Sequence, residues 1–366
     1  MITAVAMSGG VDSSAAAWLL LNDPEIRKLY PDNHLIAVTH WWDELRLSSP
    51  GLQDRAAAVC SRLEIPYHVI DLGGDFRRQV MDDFAENYLG GMTPNPCVRC
   101  NEKIRFTEFF NRCLAVASEL PGFSEEDFYF STGHYVRIEE RDGRMFLRKA
   151  VDPSKDQSYM LYRIPPAVLS HCIFPLGSFT KEKIRGIAAE YGFFGTAIKE
   201  SQDICFIDDD YVSFLKRHLS PEALSRTDLP GLIFDTEGNR LGSSRGFLHY
   251  TIGQRKGLGL GDGPWYVTEV DALSNRVIVG RKDQLGVSLF NAGELNWFIE
   301  APTEPLECKV QVRYNSTEYP CRVSPDGKGG VRVELEGRAV ATPGQSAVFY
   351  DGDIVVGGGI ISRASV

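Results

Sequence analysis

From residue 1 to about 135, apolar runs alternate between two periods along the chain. Ile2-Thr3-Ala4-Val5-Ala6-Met7 is short and nearly all apolar, the pattern of a strand buried on both faces of a parallel sheet. Ala15–Leu21 follows as the first turns of a helix. Leu35–Thr39 predicts a second strand, with His40-Trp41-Trp42 at its C-terminal end. A helix is predicted over 52–63, a strand over Tyr67–Asp71, a helix over 76–89 and a strand over Phe128–Thr132. This alternation predicts an α/β fold with an open, doubly wound parallel sheet, whose ligands bind beyond the strand C-termini. Val136–Arg148 reads as a hairpin turning at Asp142-Gly143. Thr180 is expected to cap a helix running through Tyr191. Beyond 236 the texture becomes short alternating segments split by glycines, such as Lys309–Tyr314 and Val331–Glu334, which predict a β-barrel. Three domains are therefore expected: 1–164, a small and mostly helical 165–235, and 236–366.

The first strand runs straight into Ser8-Gly9-Gly10-Val11-Asp12-Ser13-Ser14, and a helix follows. Glycines let backbone N–H groups approach a ligand closely, and the positive helix end favours anions. The loop lacks the lysine of the P-loop and the spacing of the dinucleotide fingerprint. It is similar instead to S-G-G-x-D-S, the pyrophosphate loop of ATP pyrophosphatases, which adenylate a substrate oxygen. The other reading is a serine-glycine turn that binds nothing.

With 366 residues and 43% hydrophobic content the chain can bury several cores. No apolar run is long enough to span a membrane, and the N-terminus enters the first strand without a signal segment. A cytoplasmic protein is expected. Net charge is −10, which argues against a generic polyanion binder. Residues 241–366 carry 13 Lys+Arg against 14 Asp+Glu, which leaves a balance of −9 on the first 240. Contacts with RNA are therefore expected from local patches.

Eight cysteines in such a chain do not read as a disulfide framework. Cys60, Cys113, Cys172, Cys308 and Cys321 lie in apolar or strand-like surroundings and are expected to be packing residues. Cys97, Cys100 and Cys205 sit among turn-forming and polar residues. In Gly90–Asn101, two glycines and two prolines predict an irregular loop, with Asn101 capping a helix from Glu102. That places Cys100 beside a helix N-terminus with Arg99, Lys103 and Arg105 nearby, a setting that favours the thiolate.

Eight ordered stretches carry one further resemblance. They are Ser8–Ser14, Thr93–Asn101, Thr132-Gly133-His134-Tyr135, Lys155–Tyr159, Asp203–Ile207, Thr251–Gly257, Val312-Arg313-Tyr314 and Thr342–Ala347. Over essentially its whole length the chain resembles the bacterial tRNA-specific 2-thiouridylases, members of the pyrophosphate-loop superfamily. The resemblance implies ATP-dependent 2-thiolation of the wobble uridine (position 34) in glutamate, glutamine and lysine tRNAs. The uridine O2 is adenylated with release of pyrophosphate, then a persulfide sulfur replaces it with release of AMP. It implies that Ala6, Met7, Ser8, Gly9, Gly10, Val11, Asp12 and Ser13 hold ATP, with Mg²⁺ assisting, and that Thr39 and Gly133 line the adenine pocket. Cys205 would accept the persulfide. Cys100 would be its partner, freeing the sulfur as sulfide or closing a Cys100–Cys205 disulfide afterwards. Asn95, Pro96 and Cys97 would face the flipped-out base. Lys155, Asp156, Gln157 and His134 would touch the tRNA, helped from the barrel by Arg313, Tyr314 and Gln345. His134 has a second reading, in which it only satisfies its own loop. A cysteine desulfurase or sulfur-relay protein is the implied sulfur donor.

One departure matters. Many members have aspartate, the usual acid/base candidate, where this chain has Cys97. Either Cys97 is a spare thiol beside a Cys100/Cys205 pair, or Cys97, Cys100 and Cys205 ligate a [4Fe–4S] cluster with one iron open to sulfide. Two other function classes also fit parts of the chain. One is a ligase adenylating a small carboxylate, and the other is a non-enzymatic, ATP-sensing RNA-binding module.

Overall fold

The computed structural model describes residues 1–42, 51–192, 204–227 and 229–363. The chain divides into two compact units. The first comprises Met1–Val80, Cys97–Gln202 and Gly352–Val356, and the second Met81–Pro96, Asp203–Asp351 and Gly357–Val366. Among the described residues no helix is long and apolar enough to cross a membrane.

The first unit is built on β1 (Ile2–Ala6), β2 (His34–Trp41), β3 (Tyr67–Asp71), β4 (Phe128–Ser131) and β7 (Cys172–Ile173). They form one parallel sheet in the order β3-β2-β1-β4-β7. All five residues of β1 are buried, which explains its unbroken apolar pattern. Because β2 lies on one side of β1 and β4 on the other, the connections leaving β1 and β4 part at this point. That crevice is where doubly wound sheets bind ligands. Helix α1 (Val11–Asn22) packs on the sheet through Ala17 and Leu20, beside Val5 and Ala37, while the fully buried Ala15 and Ala16 meet Tyr135, Leu176 and Ile184 on its other side. The hairpin of β5 (Arg137–Arg141) and β6 (Arg144–Arg148) turns at Asp142 (φ 51°) and Gly143 (φ 75°), two left-handed residues as predicted.

In the second unit, β8 (Gly231–Asp235), β9 (Arg240–Ser244), β10 (Tyr266–Asp271) and β11 (Arg276–Gly280) form a four-stranded sheet, ordered β10-β11-β8-β9. Strands β12 (Val287–Trp297), β13 (Leu306–Gln311), β14 (Tyr319–Pro325), β15 (Val331–Ala339), β16 (Ser346–Asp351) and β17 (Ile354–Ile361) follow the order β12-β15-β14-β13-β16-β17. Pairing of β12 with β17 closes them into a barrel. The C-terminal barrel expected over 236–366 is formed by β12–β17, and β8–β11 build a separate sheet before it. Alternation such as the buried-exposed rhythm of Val331–Leu335 reports which face is covered and carries no information on which strand pairs with which. Cys308 and Cys321, expected to be packing residues, stand opposite each other on β13 and β14 with Sγ atoms 3.6 Å apart.

Candidate active site

The loop after β1 is shaped by its own small residues. Gly9 has φ 67°, and a Cβ there would come within 2.8 Å of the Ala56 amide nitrogen. Gly10 precedes α1 without a side-chain cap, so the first-turn N–H groups have no internal carboxylate or hydroxyl in that role. The serines are engaged within the loop. Ser13 Oγ and Ser14 Oγ donate to the Gly10 carbonyl at 3.2 and 2.8 Å, and Ser8 Oγ lies 3.1 Å from Ser13 Oγ. Ser14 is fully buried and its hydroxyl proton goes to the Gly10 carbonyl, so it does not serve as a donor to a bound anion. Gly133 backs directly onto the loop, since a Cβ there would lie 2.9 Å from the Ser13 nitrogen. Thr39 is buried and its hydroxyl donates to the Met7 carbonyl, which ties the end of β2 to the entry of the loop.

Asp12 is held from a distance in sequence. The Lys181 Nζ donates to both of its oxygens at 2.8 Å, and the Tyr135 hydroxyl donates to one at 2.8 Å. Lys181 is only 6% exposed, and its backbone N–H donates to Asp152. Thr180 caps this helix, Lys181–Glu190, by accepting from the Lys183 N–H. The sequence places Lys181 in the first turn of a helix and gives no sign that it reaches the pyrophosphate loop. The signal available was a lysine directly after an N-cap, a position where a cation is unfavourable unless it has another task.

The cysteine segment departs from expectation. The helix starts at Pro96, so Pro96–Arg99, Cys100–Phe109 and Phe110–Ser118 follow one another as a single helix whose middle section is π-helical. Proline is well suited to a first helical position, where its missing N–H costs nothing. Asn101 therefore does not cap a helix. It is 7% exposed within one and donates from Nδ2 to the Met160 carbonyl at 3.0 Å. The N-terminal setting expected for Cys100 belongs instead to Cys97. Cys97 is exposed, yet desolvation by the surrounding atoms raises its thiol pKa, with Arg105 pulling the other way. Behind Cys100, Glu102 accepts from Arg163 at 2.6 and 2.9 Å and from Arg99 at 3.1 Å. Burial would raise the Glu102 carboxyl, but the Arg163 bonds and the charges of Arg163, Arg99 and Lys103 bring it below its ordinary value.

Arg163 is nearly buried, so Glu102→Gln leaves a guanidinium without its counter-ion. A loss of about 3–5 kcal/mol is expected at neutral pH, read from urea unfolding. Because the Glu102 carboxyl is depressed, this contribution is complete above the ordinary carboxylate range and disappears as pH falls through the lowered value. The two proteins should therefore converge in acid. Equal unfolding midpoints at pH 7 would remove this role.

His134, half-buried, has Nδ1 2.7 Å from Thr132 Oγ1, with its ring near Phe106 and Phe174. Burial and then Arg105 keep its pKa well below the usual value, so it is neutral. Asp156 accepts from the Ala150 N–H and the Ser158 hydroxyl, while Gln157 Oε1 accepts from the Tyr135 N–H. These two shape the loop that presents Tyr135, and Lys155 stands beside them, half-buried.

In the second unit, Cys205 is exposed on a turn closed by the Ile207 N–H to Ile204 carbonyl bond. Phe206 anchors that turn against Phe84 and Phe214. The preceding part of this loop, Lys199–Asp203, lies outside the described residues. Gln345 donates to the Thr93 carbonyl at 2.7 Å and Pro343 accepts from the Thr93 N–H, which holds the strand-like approach to Asn95 and Pro96. Arg313 is exposed and Tyr314 half-buried.

Three family models tile the chain: a tRNA methyl transferase HUP domain over residues 1–209, a tRNA methyl transferase PRC-barrel domain over 213–281 and an aminomethyltransferase β-barrel domain over 287–361. The tRNA-specific 2-thiouridylase MnmA of Chloroflexus aurantiacus is 44% identical, covering 99% of this chain and 98% of its own length. The chain belongs to the tRNA-specific 2-thiouridylase family. The enzyme of the same name from Acetivibrio thermocellus is 39% identical over 98% of both chains. Among solved structures, the U34-tRNA thiolase NcsA of Methanococcus maripaludis with its [4Fe–4S] cluster aligns at 18% identity and a TM-score of 0.33, covering 56% of this chain and 61% of that one. A likeness that slight bears on neither chemistry nor architecture. As a family member the protein is a tRNA-uridine 2-sulfurtransferase with a nucleotide-binding HUP domain.

Proposed function

We propose that this thiouridylase converts the wobble uridine of glutamate, glutamine and lysine tRNAs to 2-thiouridine, using ATP and a persulfide on Cys205. What carries the reading is the uncapped, glycine-built N-terminus of α1, backed by Gly133, in a chain similar to thiouridylases from end to end. The triphosphate would sit on the open N–H groups, and Mg²⁺ would share its charge. Uridine O2 attacks the α-phosphorus and pyrophosphate departs, leaving O2 adenylated and C2 open to a sulfur nucleophile. The Cys205 persulfide supplies that sulfur. Either Cys100 attacks the inner sulfur of the persulfide and the sulfide released attacks C2, or the outer sulfur attacks C2 and Cys100 then cleaves the S–S bond. AMP leaves as the C2–S bond forms, and both routes end in a Cys100–Cys205 disulfide that an external thiol reduces. Asn95, Pro96 and Cys97 would receive the unstacked base.

For the [4Fe–4S] alternative, Cys97 and Cys100 are three positions apart on one helix, and no third ligand joins them within the first unit among the described residues. The thiol route uses Cys100 and Cys205 and does not require Cys97. Its test is an anaerobic preparation assayed for iron, labile sulfide and thiouridine formed from ATP, tRNA and a persulfide donor. An iron-free protein that thiolates, and a Cys97→Ser variant that still does so, support the thiol route. About four irons per chain, lost together with activity in Cys97→Ser, would replace it with cluster chemistry.

A further inference from the structure

The helix that carries Cys97 and Cys100 also carries Arg105, which the sequence offers only as a charge near Cys100 and which the proposed reaction does not use. Its neighbours Phe106 and Phe109 are fully buried. The Phe106 ring packs 6.1 Å from His134, just after β4, and the Phe109 ring 5.1 Å from His40, at the end of β2. Arg105 thus projects from the helix where it crosses the ligand-binding edge of the sheet. Its Nε is shut off from solvent and donates to nothing.

The charge of Arg105 reaches His40, His134 and Cys97, three groups on three separate segments. None of them can balance it. Burial holds His40 down to about 3 and His134 well below its usual value, so both are neutral at physiological pH. Desolvation keeps the Cys97 thiol protonated. Among the described residues no carboxylate pairs with Arg105, whereas Arg99 and Arg163 on the same side of the unit share Glu102. A half-buried guanidinium with an idle donor and only neutral neighbours is unfavourable until an anion arrives. Its planar fork suits phosphate oxygens.

We propose that Arg105 binds a phosphodiester of the reacting complex beside the target base. This rests on the thiouridylase reading given above. Two substrates bring such a group: the nucleotide, whose α-phosphate becomes a diester once it is joined to uridine O2, and the tRNA backbone flanking the flipped uridine.

The test compares Arg105→Gln and Arg105→Lys with the wild type in the full-length protein. The readouts are tRNA-dependent pyrophosphate release, KM for ATP, and Kd for unmodified tRNA across a salt series. Loss of a charge-assisted phosphate contact is expected to cost about 10- to 100-fold in Arg105→Gln, with partial recovery in Arg105→Lys. If the phosphate is the nucleotide's, pyrophosphate release falls while tRNA Kd stays unchanged. If it is the backbone's, tRNA affinity falls and the slope of log Kd against log salt drops by about 0.7–0.9. Either pattern supports the proposal. All readouts within about twofold of wild type in Arg105→Gln overturn it, as does an equal loss in both variants that tracks a lower melting temperature. Should the wild type release no pyrophosphate with tRNA, the thiouridylase reading fails on its own. Arg105 is then judged by binding of AMP and of an anticodon stem-loop RNA alone: weaker binding of either by Arg105→Gln retains the phosphate site, and unchanged binding of both removes it.

Discussion

Cys205→Ser is expected to form less than about one thousandth of the wild-type 2-thiouridine from a persulfide donor, while tRNA-dependent pyrophosphate release continues. The two halves of the proposed reaction use different groups. Adenylation needs the loop at Ser8–Ser13 and a bound uridine, and none of the loop's internal bonds involves Cys205. Sulfur transfer needs an exposed thiol that a donor protein can reach, and Cys205 sits exposed on a turn held by the buried Phe206. Serine preserves the size and exposure of that side chain but cannot carry a sulfane sulfur. Nucleoside mass spectrometry of the product tRNA and a pyrophosphate assay on the same samples separate the two steps. Cys308→Ser, in the barrel, serves as the control and should thiolate normally. Thiouridine at the wild-type rate from Cys205→Ser would refute the persulfide assignment. Loss of pyrophosphate release as well would mean that the two steps are not separable.

The second large effect is expected at Lys181, which the sequence did not mark. Lys181→Met should slow tRNA-dependent pyrophosphate release by about 10²- to 10³-fold, the scale of deleting a preorganised electrostatic group. With Lys181 intact, the Asp12 charge at the start of α1 is matched by an ammonium and a tyrosine hydroxyl. Without it, a carboxylate held only by the Tyr135 hydroxyl would face the incoming phosphates. The variant should also lose stability, because it leaves the half-buried Asp12 carboxylate without its ammonium partner. A double-mutant cycle with Asp12→Asn separates the two contributions. If the pair acts as a unit, the double variant loses less than the sum of the single losses, with a coupling of about 0.5–3 kcal/mol. Strict additivity, or an unchanged rate of pyrophosphate release in Lys181→Met, would reduce the pair to a packing feature.

Several features were legible because they are local. The buried strand, the glycine turn and the helix around the proposed phosphate loop occupy residues adjacent in sequence, so residue types alone predict their geometry. The same holds for the turn at Asp142-Gly143 and for the Thr180 cap, each set by one or two dihedral preferences. Asn101 shows where such local reading ends. Asparagine before a charged segment looks like a cap, yet Pro96 starts the helix earlier, and the amide is drawn to the Met160 carbonyl 59 positions away.

What could not be read from the chain is which distant residues meet. Lys181 and Asp12 are 169 positions apart, and a helical pattern says only that a lysine lies in a first turn. Asp156 and Gln157 look like polar surface available to RNA until Ala150 and Tyr135 take their hydrogen bonds. The idle donor of Arg105 and the opposition of Cys308 to Cys321 likewise exist only once strands and helices have docked. Hydrophobic periodicity and turn chemistry depend on a few neighbouring residues and define element, face and loop. Pairing, register and the matching of buried charge depend on contacts that the periodic pattern does not encode.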